Sequence, residues 1–344
     1  MTVLVTSDTH FTSNPRDANR WGLFSWLRKQ VKKTGAKQVL FLGDLTDAKD
    51  RHPSELVNKL VAEMVALAEL AQVIILRGNH DYIDIDNPFF RFLDSTHHNI
   101  VFVREPTVFA LDDGTHDGGR TQREALFLPN TRDYAKDWAG IDLKGMKYVF
   151  THQTYAGSLT ENGTKLDGVP ADFFAGFKGQ VWSGDIHVPQ RIGANIQYVG
   201  APYRCHFGDT YTPRVVLLKH GKSEDLHFPT VAKELVTLRR IEKLKGYDFP
   251  EGSQVKVRME LHRGDFPMWK DYKRTIVEYA TKHAWELYGP ELVALPDDRT
   301  PDDENEAVMS GAVRKPAQVL RAYAHEKELD KELVAVGLTL LKEA

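Results

Sequence analysis

Short apolar runs alternate with helix-period stretches through the first part of the chain. Val3-Leu4-Val5, Val39-Leu40-Phe41-Leu42 and Val73-Ile74-Ile75-Leu76 are short, rich in branched residues, and end at polar or glycine turns. That is the signature of buried strands. Two helical stretches lie between them. In the second, Pro53 to Leu70, the residues Leu56, Val57, Leu60, Val61, Met64, Val65 and Leu67 recur at three- and four-residue steps. Pro53 and Ser54 suit its first turn. Strand–helix–strand order predicts βαβ units with helices outside a sheet. The middle is richer in strands: 100–103, 124–128, 147–150, 180–182, 196–199 and 214–218 all read as extended. An α/β sandwich of mixed sheets is predicted rather than a purely parallel fold.

The texture changes after about residue 230. Gln254 to Leu261 alternates, with Val255, Val257 and Met259 on one side and Lys256 and Arg258 on the other. Asp271 to Tyr288 reads as a helix and Glu291 to Leu295 as a short strand, giving a small α/β appendix. Residues 297–306 hold six acidic residues beside Pro296 and Pro301, a linker composition. Ala317 to Lys327 and Lys331 to Lys342 read as two amphipathic helices, with Asp330 as an N-cap. The expected domains are 1–230, 231–296 and 297–344.

Composition narrows the class. A chain of 344 residues suggests about two domains. Its 42% hydrophobic and 27% charged residues are ordinary for a globular protein. The 45 basic and 48 acidic residues leave a net charge of −3, which argues against binding nucleic acid by bulk positive charge. The single cysteine, Cys205, forms no internal disulfide and fits a reducing compartment. The N-terminus has no basic and long apolar signal pattern, and no apolar stretch approaches the roughly 20 residues of a membrane helix. A cytoplasmic protein that does not enter a membrane is expected.

Five polar clusters carry the chemistry: Asp8-Thr9-His10, Gly43-Asp44-Leu45-Thr46-Asp47, Gly78-Asn79-His80-Asp81, Thr151-His152-Gln153 and Gly184-Asp185-Ile186-His187. Each directly follows an apolar run. In α/β sheets the loops at the carboxyl ends of strands converge on one crevice, so the five predict one site. Carboxylate oxygens, an amide oxygen and imidazoles suit Mn²⁺, Fe²⁺ or Zn²⁺ rather than a soft thiolate-seeking ion. The glycines before Asp44, Asn79 and Asp185 predict tight backbone turns beneath those residues.

The ordered set D-x-H, G-D-x-x-D, G-N-H-D, H and G-x-x-H, over about residues 1–220, resembles the calcineurin-like metallophosphoesterases. The resemblance implies a four-layer αββα sandwich and a site for two divalent ions. Mn²⁺ is the expected ion, and Mg²⁺, Fe²⁺ and Zn²⁺ are chemically admissible. Asp44 would bridge the ions, with Asp8, His10 and His187 on one and Asn79, His152 and Asp185 on the other. Two ions roughly 3.5–4 Å apart clamp a phosphate and activate a water. His80 would stand over the phosphate as the catalytic group, oriented by Asp81 through a hydrogen bond. Where the family has G-H-x-H, this chain has Asp185, which adds negative charge at the second ion.

A narrower resemblance is to the SbcD-type DNA exonuclease subunits, phage-encoded forms included. It rests on Gly43 to Asp47 followed by Pro53-Ser54, on Gly184 to Gln190, on Tyr198 to Pro202 and on Phe207-Gly208-Asp209. It implies a DNA substrate, a capping domain in the appendix, a homodimer, and C-terminal helices that dock on an SbcC-type ABC ATPase. A stand-alone phosphodiesterase or phosphatase, and a non-catalytic scaffold, are the alternatives. His206 lies in the loop near the expected site. Cys205 reads as a small buried residue. Arg239, Arg240, Lys243 and Lys245 are candidate phosphate contacts, as, more weakly, are Arg28, Lys32 and Lys33. The dense patch Trp21, Leu23, Phe24, Trp26 and Leu27 is either core or a homodimer face, and the resemblance favours the dimer.

Overall fold

The computed structural model describes residues 2–114 and 123–296 and, of the remainder, only Leu320 and Val334, both helical. The acidic linker and the two terminal helices read from the sequence therefore lie, but for those two positions, outside the described residues.

In chain order the strands are β1 (Val3–Thr6), β2 (Gln38–Phe41), β3 (Gln72–Leu76), β4 (Ile100–Val103), β5 (Thr107–Leu111), β6 (Arg123–Leu128), β7 (Tyr148–His152), β8 (Gln180–Gly184), β9 (Arg191–Ile192), β10 (Ile196–Tyr198), β11 (Val215–Lys219), β12 (Lys222–Leu226), β13 (Lys233–Leu238), β14 (Gln254–Leu261) and β15 (Glu286–Ala294). The helices are α1 (Gly22–Thr34), α2 (Ser54–Ala68), the four-residue α3 (Tyr134–Asp137) and α4 (Trp269–Lys282). One sheet runs β12-β11-β1-β2-β3-β4, a second β5-β6-β7-β8-β10-β9, and a third β13-β14-β15. In the first sheet, β1 to β4 are parallel, β11 runs antiparallel to β1, and β12 runs antiparallel to β11. In the second, β6, β7, β8 and β10 are parallel, flanked by antiparallel β5 and β9.

Strand alternation sorts the core into layers. Val3, Val5, Leu40, Leu42, Ile74 and Leu76 of the first sheet meet Phe127, Phe150 and Trp182 of the second. The opposite pleat of the first sheet, with Leu4, Val39, Phe41, Val73 and Ile75, packs against α1 and α2. α2 serves this face with Leu56, Leu60, Met64 and Leu67, a stripe at four-, four- and three-residue steps. Each fully buried side chain of this kind stabilises the fold by about 1.5–3 kcal/mol relative to exposure. The far face of the second sheet is covered by Trp138, Val169, Phe174 and Phe177. That fourth layer is therefore α3 and turns rather than long helices. The Trp21 patch belongs to the core. Leu23, Phe24 and Leu27 are wholly buried, and Phe11 stacks on Trp21 and Phe24 at 4.6 and 5.0 Å. Trp26, the remaining member, is only partly buried against that cluster.

The chain divides into two compact units, one comprising 1–236, 248–256 and 280–288, the other 237–247, 257–279 and 289–344. The division passes through β13, β14 and β15, so it does not fall at a single linker near residue 230. The predicted helix 271–288 ends at Lys282, because Ala284 adopts a left-handed φ of 52°. Glu286, Leu287 and Tyr288 then open β15, which runs through Pro290. Proline is tolerated there because β15 is an edge strand. No helix among the described residues is long and apolar enough to cross a membrane.

Candidate metal centre

Five parallel strands deliver the five clusters. Asp8 and His10 follow β1, Asp44 follows β2, and Asn79 and His80 follow β3. His152 is the last residue of β7, and Asp185 and His187 follow β8. The site therefore forms where the carboxyl ends of both sheets meet, as crevices in α/β folds do.

Two of the glycines leave no room for a side chain, since a Cβ at Gly43 would stand 2.3 Å from His152 Nδ1. Gly43 also turns the backbone with a φ of +89°. At Gly78 a Cβ would stand 2.2 Å from Asp44 Oδ1 and 2.5 Å from Asp44 N. Four of the clustered acidic and imidazole residues are themselves left-handed, with φ 52° at Asp8, 38° at His10, 56° at Asp44 and 87° at Asp185. Non-glycine residues adopt this region rarely, and they do so at functional sites when the surroundings enforce it.

Asp44 lies at the middle. Its Oδ2 is 3.6 Å from His10 Nε2, and its Oδ1 is 3.3 Å from His152 Nε2. On the first side, His187 Nε2 lies 3.2 Å from His10 Nε2, and Asp8 offers a carboxylate to the same group. On the second, His152 Nε2 is 3.2 Å from Asn79 Oδ1 and 3.8 Å from Asp185 Oδ1. The Thr154 hydroxyl donates to Asp185 Oδ2, and the Asp185 backbone N–H donates to Asp8 Oδ1 at 3.1 Å. The seven residues named from the sequence lie together around Asp44, and Asp8 falls in two possible groups, one with His10 and His187 and one with Asp44 and His152.

The outer ring nitrogens are fixed by neighbours. His152 Nδ1 donates to the Leu42 carbonyl at 2.5 Å and leaves Nε2 facing the carboxylates. His187 Nδ1 lies 2.7 Å from Glu161 Oε1. Such partners select the tautomer that presents a lone pair inward. Glu161 was not legible in the sequence: it stands on a hairpin turn, bridged at Leu159 and Lys165, that reaches a residue 26 positions on. Only the Asn162-Gly163 dipeptide marks the turn.

Asp81 differs from expectation. Its carboxylate accepts the backbone N–H groups of Asp44 and Gly78 at 3.0 and 2.6 Å on Oδ2 and that of Leu45 at 3.1 Å on Oδ1. It fastens the loop after β2 to the loop after β3 instead of orienting His80. His80 Nδ1 is 2.7 Å from the Asp47 carbonyl, and the His80 backbone N–H donates to Asp44 Oδ1 at 2.8 Å. Asp47, at the end of the second cluster, supplies the contact assigned to Asp81.

Burial governs the electrostatics. Asp8 is 0% exposed, and desolvation pushes its carboxyl up to about 6 although His152 and His187 oppose it. Burial and then the Asp44 charge raise Asp81 to about 6. Burial would raise Asp44 too, but the His152 and His10 imidazoles hold it below the usual carboxylate range. Burial lowers His10 to about 3. For His187 burial is outweighed by Glu161, which raises it to about 9. His152 is likewise raised, by Asp44 against burial. Asp185 is raised by burial.

This arrangement fits divalent cations. Buried carboxylates are costly unless paired with cations. Asp8 Oδ2 is buried without a hydrogen-bond partner among the described residues. The facing His10 and His187 Nε2 atoms, 3.2 Å apart, place lone pairs together unless a proton or cation lies between them. The donor set of O and N atoms suits hard to borderline ions. A cavity of about 400 Å³ opens over these residues, and His80 and His206 also line it.

Residues 1–189 match the calcineurin-like phosphoesterase family, and the chain belongs to that family. It is by membership a metal-dependent phosphoester hydrolase, with the mixed α/β fold described above. Among curated proteins, none matches the chain. Solved structures similar to it include a nuclease MPE from Pseudomonas putida, at 14% identity over 65% of this chain and 87% of that one, with a TM-score of 0.31. A dimetal phosphatase from Danio rerio is similar at 11% identity over 56% and 70%, with a TM-score of 0.29. Neither likeness is strong enough to bear on substrate.

Proposed function

We propose that the chain is a two-metal DNA nuclease of the SbcD type. The reading rests first on Asp44, whose two carboxylate oxygens face two separate groups of donors. Asp8, His10 and His187 would hold one ion and Asn79, His152 and Asp185 the other. Ions held there supply charge for the phosphate and an activated water, and Mn²⁺ suits the mixed oxygen and imidazole donors. The chain's own contribution is positional. The backbone N–H of His80 is anchored on Asp44, and its Nδ1–H on the Asp47 carbonyl, with the ring lining the cavity; Nε2 could donate to the leaving oxygen only when the ring is the imidazolium, with protons on both nitrogens.

DNA as the substrate, a capping role for 231–296, a homodimer, an ABC ATPase on the terminal helices and a cytoplasmic setting, the host's if the chain is phage-encoded, all follow from the sequence resemblance. Arg239, Arg240 and Lys243 line one notch of the second unit, a placement that supports phosphate contact.

The test is an assay with Mn²⁺ on linear duplex DNA, single-stranded DNA and bis-p-nitrophenyl phosphate. The wild type should cut DNA and the small diester. His80→Ala should lose about 10²–10⁴-fold in kcat, the usual contribution of a general acid, while still binding two metals per chain by calorimetry. Cleavage of the small diester without any DNA degradation, even with the ATPase present, would replace the nuclease with a small-molecule phosphodiesterase.

A further inference from the structure

The cavity extends beyond the metal centre along a wall that none of the ligand motifs explains. Arg20 and Lys233 are 94% and 96% buried there, with 6% and 4% of their surfaces exposed. They share one carboxylate: Asp17 Oδ1 is 2.9 Å from Arg20 and 3.0 Å from Lys233 Nζ. Both also donate to the Cys205 carbonyl, and Arg20 reaches the His10 carbonyl at 2.7 Å. Two buried cations on one carboxylate leave that trio with a positive charge to spare. The Arg20 Nε has no hydrogen-bond partner among the described residues. A buried cationic surplus of this kind is costly without an anion.

The same wall carries aromatic surface. The half-buried Phe207 ring lies 5.1 Å from the Tyr288 ring. Lys233 Nζ lies 5.9 Å from the centroid of Phe207, and the exposed Arg16 guanidinium 5.6 Å from that of Tyr288. Phe207 follows His206, whose ring is 6.1 Å from that of His187. Cationic groups interleaved with half-exposed rings, beside a phosphate-processing site, have the composition of a single-strand nucleotide platform. The cleft that holds both this wall and the metal centre has a volume of about 400 Å³, within the range of small-ligand pockets.

We propose that this wall is a nucleotide subsite, in which Phe207 stacks the base next to the scissile phosphate and Arg16 and Lys233 receive the following phosphate. This deepens the nuclease reading and rests on it only for the identity of the substrate.

The test is calorimetry on the full chain with Mn²⁺, using three ligands: inorganic phosphate, thymidine 5′-monophosphate and thymidine 3′,5′-bisphosphate. The wild type should bind the monophosphate at least about fivefold more tightly than inorganic phosphate, the lower end of what base stacking supplies. It should bind the bisphosphate about tenfold more tightly again. Phe207→Ala should collapse the first ratio and Arg16→Ala the second. Ratios taken within each protein are insensitive to a general loss of folded material. Should either variant bind nothing, Phe207→Leu and Arg16→Gln repeat the comparison, and the same ratios decide. Equal binding of the three ligands by the wild type, or variants that keep both ratios, would overturn the subsite. If the ratios hold but oligonucleotides are not cut, the nuclease reading falls and the subsite stands.

Discussion

Asp8, His10 and His187 share one face of the site but differ in the proton each carries before metal arrives. Burial leaves Asp8 neutral below about 6 and keeps His10 unprotonated above about 3. Glu161 keeps His187 protonated up to about 9, and the Asp44 carboxylate raises His152 well above the ordinary imidazole range. Metal needs the ionised carboxylate and the neutral imidazole. Competition from a raised histidine is fully present below its pKa and disappears above it, and the same holds for Asp8 around 6. Affinity for Mn²⁺ should therefore rise from pH 6 to 9. At pH 7 uptake should release about two protons per chain, chiefly from His187 and His152. Titration calorimetry in buffers of different ionisation enthalpy measures this directly, and uptake without proton release would contradict it. The ligand residues themselves were legible because each directly follows an apolar run. Glu161 and Lys233 were not, because their partners His187 and Asp17 are distant in sequence and no local pattern marks the contact.

Elements were legible where one face is buried. β1, β2 and β3 read as apolar runs because the sheet is covered on both sides. β12 is Lys-Ser-Glu-Asp-Leu, an edge strand with four exposed residues, and it carries no hydrophobic pattern at all. Backbone pairing with β11 alone makes it a strand. β5 differs: it is the apolar run Thr-Val-Phe-Ala-Leu at a half-exposed edge, with Leu111 buried. The loop after β3 shows how strictly an element end can be specified. Gly78→Ala would drive its Cβ against backbone and carboxylate of Asp44, separating the two loops that Asp81 fastens together. Activity should fall by at least about 100-fold, since misplacement on the order of 1 Å costs that much. Gly176→Ala, where a Cβ meets nothing within 4 Å and the backbone is not left-handed, is the control for the substitution itself. Similar losses in the two variants, measured as kcat/KM on the small diester, would refute steric specificity at Gly78.

At the scale of the molecule, the sandwich followed from strand order and alternation, whereas the division near residue 230 did not. The change of sequence texture there is real, but β13, β14 and β15 are shared between the two units. Sequence texture reports the class of an element and says little about which unit its ends join. Because the candidate ligands come from β1, β2, β3, β7 and β8, ions held among them tie the two large sheets together. Metal should accordingly stabilise the whole sandwich. At 100 times Kd each independent site adds about 2.7 kcal/mol. Thermal unfolding should shift upward with Mn²⁺ and return with a chelator, and an unmoved midpoint would rule out ions bridging the sheets.

The left-handed backbone at Asp8, His10, Asp44 and Asp185 has a consequence for how this fold can change over generations. Each conformation costs of order 1–3 kcal/mol for a residue with a side chain, so the site is a local frustration that only function maintains. Loss of function is then thermodynamically downhill. Asp185→Gly should raise the stability of the metal-free protein by about 1 kcal/mol while weakening metal binding, after the greater freedom of unfolded glycine is subtracted. Chemical denaturation with chelator present would show it, and a destabilised variant would mean the φ of 87° is not strained. A lineage released from catalysis would be expected to replace these positions with glycine or asparagine before it lost the sandwich.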